Sequence, residues 1–469
     1  MRKRKGYPVY PLTAAQKFHF FYQNFCPKKE VLNIGTSVTI ENDLDWDVLR
    51  ASICKAYERN ESLRVRFAQD KEGAWYQYVV SAEEGKPEVE FVDFSEKTME
   101  EAEQTMTAWT RVPFKPVDSP MTRIVMIKMP DGSCGVYLLS DHRIMDAQSL
   151  IGFLQDVIEL YCNSLYEGVP YPKDMASYIE QVQKDLAYEA GSKAQQRDRE
   201  FFEHLIDSTT EPIYTGIDGT AKLDAERQRS GDPNARAAVN VSDSVDSAID
   251  IFHLEEEPTT RLMKFCEEYH VSLQCLLLMG IRTYFQKMNG IDDVSVNLAI
   301  ARRATLKEKK CGGTRIHSFP FRTILSEDKS FLDGVYLIRD QQNEYFRHAN
   351  YDPVAYFAYR GRKYPHQGGQ TYEPMSLTYQ PMSLKSQGLD KLGDIHYKTK
   401  WYSNGATTQG MYLTVMHRPE DNGLDFSFEH QVKAVSREQL EYFYYYLCKI
   451  MFKGAENPGL SVGDIMKLI

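Results

Sequence analysis

The sequence predicts a mixed α/β protein made of two halves of similar size. Short apolar or alternating segments typical of strands recur along the chain, as at Thr36–Glu41 and Thr122–Lys128. Between them lie longer segments with apolar residues every three or four positions, which is typical of amphipathic helices. The 469 residues also suffice for two to three domains of ordinary size.

In the first half, predicted strands and helices alternate. Asp45 is placed to cap a helix that runs to about Arg59, and a longer amphipathic helix follows the apolar strand Gly135–Leu139. Further strands are predicted at Leu63–Ala68 and Tyr76–Val80, and further helices at Lys97–Trp109, Asp174–Ala190 and Gln195–Leu205.

The second half repeats this alternation after a polar interval. Asp218–Asp246 has few large apolar residues and is predicted to be a connector or a mobile surface loop. Thr259–Asn289 is predicted to be one helical segment, and a capping box at Ser436 begins the last helix. We therefore expect an N-terminal lobe at residues 1–180, a helical connector with a polar loop at 181–250, and a C-terminal lobe at 251–469.

Charge and composition disfavour several kinds of partner. The 56 Lys and Arg against 66 Asp and Glu give a net charge of −10, whereas nucleic acids and anionic membranes require a basic surface. No apolar run approaches the ~20 residues that span a bilayer. The basic start of the chain is not followed by the apolar stretch of a signal peptide, so we expect a cytoplasmic protein. The eight cysteines form no Cys-x-x-Cys pair, and no metal site is predicted.

Three histidines are followed four residues later by aspartate, a spacing that suits an acid–base site. They are His142 with Asp146, His348 with Asp352, and His417 with Asp421. The second pair lies at a predicted helix end and the third in a predicted hairpin. His142 instead follows an apolar strand and precedes an amphipathic helix, at the edge where α/β proteins build sites. From this pattern alone, a structural role at the junction remains the favoured interpretation of His142.

Six segments, in order from about residue 8 to 455, resemble the condensation domains of nonribosomal peptide synthetases. These domains belong to the acyltransferases built like chloramphenicol acetyltransferase. The segment at 141–147 (DHRIMDA) resembles the motif His-His-x-x-x-Asp-Gly, and the segment at 59–67 (RNESLRVRF) resembles Arg-His-Glu-x-Leu-Arg-Thr-x-Phe. The other four are Pro11–Gln16, Asp174–Tyr178, Val271–Val294 and Gly313–Arg322.

The chain departs from the family pattern at three of these positions. Asp141 replaces the first histidine of the motif, Ala147 replaces its glycine, and His317 replaces an asparagine of the second lobe. The minimal His-x-x-x-Asp pattern is retained. No adenylation or carrier segment follows in the sequence, so the resemblance predicts a stand-alone member.

The resemblance implies two lobes in a V with a central tunnel, where two substrates meet at His142. His142 would act as a general base or position an amine or hydroxyl that attacks an acyl thioester. Asp146 would support the site by pairing with an arginine, which motif matching assigns to Arg64 in preference to Arg59. The backbone N–H of Ala147 would polarise the thioester carbonyl.

Four other positions are candidates for the site. A carboxylate of Asp141 close to the His142 imidazole would raise its pKa. Ser376 and Thr378 face one side of a predicted strand and are candidates for lining the tunnel. His317 is either a structural histidine or a tunnel residue, and the structural role is favoured.

The resemblance leaves three functions open. The first is a condensation enzyme that uses a phosphopantetheine thioester on a carrier protein, with a small-molecule acceptor. The second is a small-molecule O- or N-acyltransferase that uses coenzyme A thioesters, and neither function requires a tightly bound cofactor. The third is an inactive condensation-like binding or recruitment module. Basic residues at 2–5, or Arg360, Arg362 and Lys363, are candidates for a surface that docks an acidic carrier.

Overall fold

Helices and strands alternate through residues 2–381, 397–418 and 421–469, which this computed structural model describes. The α-helices are α1 (Ala14–Gln23), α2 (Trp46–Arg59), α3 (Met99–Thr110), α4 (Ala147–Leu165), α5 (Tyr178–Glu189), α6 (Lys193–Asp207), α7 (Ala221–Ser230), α8 (Glu256–Glu268), α9 (Leu273–Asn289), α10 (Leu306–Lys309), α11 (Phe331–His348), α12 (Pro353–Lys363), α13 (Arg437–Glu456) and α14 (Val462–Lys467). Short 3-10 helices lie at Lys29–Leu32 and Glu61–Arg64.

The strands form four sheets in the described part of the chain. They are β1 (Lys3–Arg4), β2 (Tyr7–Pro11), β3 (Asn33–Ile40), β4 (Val65–Gln69), β5 (Trp75–Val79), β6 (Val89–Asp93), β7 (Thr122–Lys128), β8 (Cys134–Asp141), β9 (Ala238–Val239), β10 (Ser247–Leu254), β11 (Asp293–Ile300), β12 (His317–Ile324), β13 (Gln370–Thr371), β14 (Ser376–Gln380), β15 (Tyr397–Tyr402), β16 (Met411–His417) and β17 (Leu424–Gln431). The mixed α/β class predicted from the sequence is confirmed.

The chain divides into two compact units. The first contains residues 2–195, 301–316 and 397–406, and the second contains 196–300, 317–381, 407–418 and 421–469. Two short segments from the second half of the chain therefore belong to the first unit. The lobe boundaries expected at residues 180 and 250 stay predictions.

The central sheet of the first unit positions His142. Its five strands have the order β15-β3-β8-β7-β6, and β8 pairs antiparallel with both neighbours. Every residue of β8 is buried. Because β8 ends at Asp141, the chain leaves the sheet immediately before His142. A second sheet in this unit has the order β1-β2-β5-β4.

Only five residues, 142–146, separate β8 from helix α4. Asp146 caps it, since its carboxylate accepts a hydrogen bond from the Ser149 N–H at 3.0 Å. Its apolar stripe, including Leu150, Leu154 and Val157, packs in the core of the first unit. A rigid strand and a well-packed helix therefore fix both ends of the His142 turn.

The second unit is built on a six-stranded sheet with the order β10-β17-β16-β14-β11-β12. Strand β14 runs parallel to β11 and β16, and the other neighbours are antiparallel. The apolar faces of α8, α9, α11 and α13 pack in one core with this sheet. Within the described ranges, no helix is both long and apolar enough to cross a membrane.

The structure differs from two expectations for the second half. The single helix predicted at Thr259–Asn289 is two helices, α8 and α9, because the backbone of His270 has φ +52° and cannot continue a right-handed helix. The interval Asp218–Asp246, whose composition predicts a connector or mobile loop, contains α7 and β9. Helix α7 buries a single large apolar side chain, Leu223, so its sequence lacks an amphipathic stripe.

Gly135 provides a test of how closely β8 packs in the sheet. A Cβ at this position would collide with the backbone carbonyl oxygen of Val38 on β3. We expect Gly135→Ala to lower the free energy of unfolding by about 1 to 3 kcal/mol, since neighbouring backbone must move.

Gly152→Ala in α4 is the matched control, because the added Cβ would meet nothing within 4 Å apart from its chain neighbours and the backbone of its own helix. We expect it to be neutral or to stabilise the protein by about 0.5 to 1 kcal/mol, since alanine favours the helix. Denaturant unfolding of both variants measures the difference. Equal stability of the two variants would contradict the register described for β3 and β8.

Candidate active site

The turn that carries His142 is held by backbone hydrogen bonds at both ends. The His142 N–H donates to the carbonyl of Leu32 at 2.8 Å. The N–H groups of Ile144 and Met145 both donate to the carbonyl of Asp141, at 3.0 and 3.3 Å. The half-buried His142 side chain is therefore presented from an ordered turn.

Asp146 lies in a buried ion pair with Arg303. The Arg303 Nη1 donates to Asp146 Oδ2 at 2.7 Å, and the two side chains are only 1% and 4% exposed. The same carboxylate accepts hydrogen bonds from the N–H groups of Ser149 and Arg315, at 3.0 and 2.9 Å. Burial alone would raise the pKa of this carboxyl, but Arg303 and the N–H donors hold it below its usual value.

Arg303 also joins segment 301–316 to the start of α4. Its Nη2 donates to Ser149 Oγ at 2.6 Å and to the Gly313 carbonyl at 2.8 Å. The Ser149 hydroxyl in turn donates to the Gly313 carbonyl at 2.6 Å. Segment 301–316 therefore lies against the turn that carries His142, although it is remote in sequence.

The predicted pairing of Asp146 with Arg64 is wrong. The Arg64 guanidinium instead donates to two backbone carbonyls, those of Val80 at 2.5 Å and Glu58 at 3.3 Å. The other arginine considered, Arg59, pairs with Asp156 at 2.9 Å. Motif order in the first half could not identify Arg303, because it lies 157 residues from Asp146 and outside the matched segments.

His142 has a second imidazole stacked on it. The ring of His19, on α1, lies 4.1 Å from the His142 ring between centroids, at an interplanar angle of 28°. His19 is 5% exposed, and its Nε2 lies 3.1 Å from the Thr314 hydroxyl. The sequence analysis missed His19, which comes three residues after the matched segment Pro11–Gln16.

Both imidazoles favour the neutral form. Burial lowers the pKa of His142, and the opposite effects of Asp146 and Asp141 do not outweigh it. Burial, together with the nearby His142 and Arg143, lowers the pKa of His19 well below its usual value. The buried Nδ1 of His142 makes no hydrogen bond with any described residue. A neutral imidazole is the form that accepts a proton.

Asp141 raises the pKa of His142, as the sequence predicted, and its carboxylate also has a partner of its own. Arg143 donates to both Asp141 carboxylate oxygens, from Nε at 2.8 Å and from Nη2 at 2.7 Å. The guanidinium also lies over the Phe20 ring, 4.7 Å from its centroid. The carboxylate at the position of the family's first histidine is therefore neutralised within the fold.

Two further candidates lie at helix and strand ends. Ala147 is the first residue of α4, where a backbone N–H has no acceptor within the helix. It does not have a positive φ, so alanine in place of glycine brings no backbone strain here. His317 begins β12, is buried, and lies with Nδ1 at 2.9 Å from the Ala349 carbonyl, as expected for a structural histidine.

Ser376 and Thr378 lie on the same face of β14 in the second unit. Thr378 Oγ1 lies 2.5 Å from the Tyr412 hydroxyl. The register places Ser376 beside Tyr412, and Tyr412 beside Glu429 of β17. Burial raises the pKa of Glu429 to about 7. Sequence analysis missed Asn297 and Glu429, which extend this polar row on either side.

The other two candidate histidines and Arg360 have structural partners. His348 lies 2.9 Å from Asp198, while Asp352 caps α12, so the predicted helix end is confirmed. His417 Nε2 lies 2.8 Å from the Tyr379 hydroxyl.

Arg360 cannot contribute to a docking surface, because it is buried and pairs with Glu373 at 2.6 Å. No group of three or more metal-ligating side chains occurs among the residues that the structure describes.

The sequence was also compared with known proteins. A family model described as condensation domain matches residues 8–468. The chain belongs to the condensation-domain family. Surfactin synthase subunit 1 of Bacillus subtilis (strain 168) is 22% identical to this family member over 465 residues, and the dimodular nonribosomal peptide synthase of that strain is 23% identical over 341. These alignments cover 96% and 70% of this chain but only 12% and 13% of those proteins.

Solved condensation domains confirm the fold of this family member. The first condensation domain of the calcium-dependent antibiotic synthetase, in complex with a substrate analogue, has a TM-score of 0.78 at 19% identity. The matched region covers 97% of this chain and 98% of that one. A variant of the starter condensation domain of rhizomide synthetase, in complex with C8-CoA, has a TM-score of 0.79 at 17% identity and covers 97% and 96%.

The two arginines can be compared directly by substitution. We expect Arg303→Met to lower the free energy of unfolding by about 3 to 5 kcal/mol, because it leaves the buried Asp146 carboxylate without its cation. Arg64→Met is the matched control and should cost only about 1 to 2 kcal/mol, since it removes hydrogen bonds to carbonyls and unpairs no charge. Denaturant unfolding at pH 7 measures both values. A larger loss from Arg64→Met would contradict the assigned partner.

Proposed function

We propose that this chain is a condensation-type acyltransferase with His142 as its general base. Condensation domains are in general acyltransferases, and those of peptide synthetases work with carrier-protein domains. The observation that carries the proposal is the half-buried imidazole of His142, whose pKa is lowered by burial, in a turn fixed by Asp146 and Arg303. A base of this kind suits an amine or hydroxyl that must lose a proton as it attacks a thioester.

The reaction requires one bond to form and one to break. The acceptor nitrogen or oxygen attacks the carbonyl carbon of the acyl thioester, and His142 accepts its proton. The tetrahedral intermediate then collapses, the carbon–sulfur bond breaks, and the leaving thiolate takes the proton from the imidazolium. The backbone N–H of Ala147, at the start of α4, would donate to the carbonyl oxygen as negative charge develops there.

The donor is a thioester of phosphopantetheine or of coenzyme A. The chemistry at the carbonyl is the same for both, so the turn around His142 suits either donor. A solved relative in complex with C8-CoA makes acyl-coenzyme A a practical probe. We propose a carrier protein as the physiological donor, because the relatives in sequence include a dimodular nonribosomal peptide synthase.

The departures from the family motif leave this site assembled. Asp141 is neutralised by Arg143, and Ala147 takes a helical conformation without strain. The Asp141–Arg143 ion pair and the unstrained backbone of Ala147 favour an enzyme over an inactive recruitment module.

Loss of His142 tests the proposal directly. We expect His142→Ala to slow acyl transfer by about 10² to 10⁴, the usual contribution of a general base. His417→Ala is the matched control, because His417 is also half-buried and followed four residues later by aspartate. Mass spectrometry of acyl-coenzyme A and acyl-carrier thioesters with mixed amines and alcohols follows the product. Turnover that His142→Ala leaves intact would refute the proposal, as would carrier binding without product.

The rate should also depend on pH in a defined direction. Since the His142 pKa is lowered and the base is active when neutral, kcat/KM should rise with pH through a midpoint below the ordinary histidine value of about 6.5. A pH series between 5 and 8 measures this acid limb. A midpoint at or above 6.5 would contradict the role assigned to burial.

A further inference from the structure

We infer that His19 is a positioning residue for His142, whose imidazole plane it fixes by stacking. This inference deepens the proposed function and rests on it for its catalytic consequence. The contact itself is independent of any substrate, because it consists of two rings 4.1 Å apart and inclined by 28°.

His19 is well placed to be rigid. It lies on α1, which begins with a complete capping box formed by Thr13 and Gln16. The Gln16 side chain is itself buried and donates to Gln77 at 2.8 Å. Helix α1 is therefore anchored one turn before His19.

The far edge of the His19 ring is also held. Its Nε2 lies 3.1 Å from the Thr314 hydroxyl, and the Arg315 N–H next in the chain donates to Asp146. Segment 313–315 thus contacts both the histidine that stacks on His142 and the aspartate that caps α4. The same segment therefore holds the ring that stacks on His142 and the residue that ends the His142 turn.

The charged groups around the pair allow at most one of the two imidazoles to be positively charged. Asp141 and Asp146 are each engaged by a cation, Arg143 and Arg303 respectively. Arg143 itself disfavours protonation of His19. Two imidazolium rings in contact would repel strongly at low dielectric constant, so protonation of one excludes protonation of the other.

The contact also bears on the departure at Asp141. Where the family motif has two consecutive histidines, this chain has one, His142, and its second imidazole comes from α1. The residue at the position of the family's first histidine, Asp141, therefore pairs with Arg143. The ring that stacks on His142 is supplied separately by His19, which Thr314 holds.

Three variants separate positioning from simple filling of space. His19→Phe keeps a flat ring against His142 but removes the bond to Thr314 and the titratable group. His19→Ala removes the ring. Thr314→Val keeps His19 but removes its hydrogen-bond partner. Each is made in the full chain and checked by its thermal unfolding temperature.

Nitrogen-15 NMR of the labelled imidazoles is the deciding measurement, since it reports the pKa and tautomer of His142 without substrate. We expect His19→Ala to move the His142 pKa upward, toward its ordinary value, because water enters the vacated space. His19→Phe should move it less. Acyl transfer should fall by about tenfold or more in His19→Ala and by only a few-fold in His19→Phe.

The inference is overturned if folded His19→Ala has the His142 pKa, tautomer and shifts of the parent protein. If His19→Ala does not fold, the parent protein, His19→Phe and Thr314→Val decide the matter, and identical His142 resonances in all three overturn it. Altered resonances in a protein that transfers no acyl group would uphold the stacking and refute only the proposed function.

Discussion

The buried ion pair between Asp146 and Arg303 is the interaction on which the rest of the site depends. Taking both charges out of water costs several kcal/mol for each ion, and such a pair persists only where other hydrogen bonds complete it. Here the carboxylate also accepts from the Ser149 and Arg315 N–H groups, and the guanidinium also donates to the Gly313 carbonyl. One pair thus fixes the start of α4, segment 313–315 and the end of the turn that carries His142.

The pKa of His142 reflects where the turn lies in the fold. Two carboxylates lie near the ring and would raise its pKa if they stood alone. Burial of the ring is the larger effect, and the pKa falls. Each carboxylate meanwhile has its own ion-pair partner, Arg303 for Asp146 and Arg143 for Asp141. The burial of the turn therefore favours the protonation state that a general base requires.

The sequence predicted the parts of this site that depend on local periodicity. Short windows of sequence are enough to indicate the apolar strand before His142, the amphipathic helix after Asp146 and the turn between them. Local sequence patterns could not identify Arg303 or His19. Arg303 contacts Asp146, which is 157 positions away, and His19 contacts Thr314, which is 295 positions away. Arg64 was wrongly assigned since motif order records neighbours along the chain, whereas a buried charge is paired by whichever segment the fold brings against it.

A double-mutant cycle on Asp146 and Arg303 tests this account most directly. The free energy of unfolding is measured for the parent protein, Asp146→Asn, Arg303→Met and the double variant. If the pair fixes the turn, each single change is costly and the second adds little, which gives a coupling energy on the order of 2 kcal/mol or more. Additive losses, with coupling near zero, would contradict the central role of the ion pair.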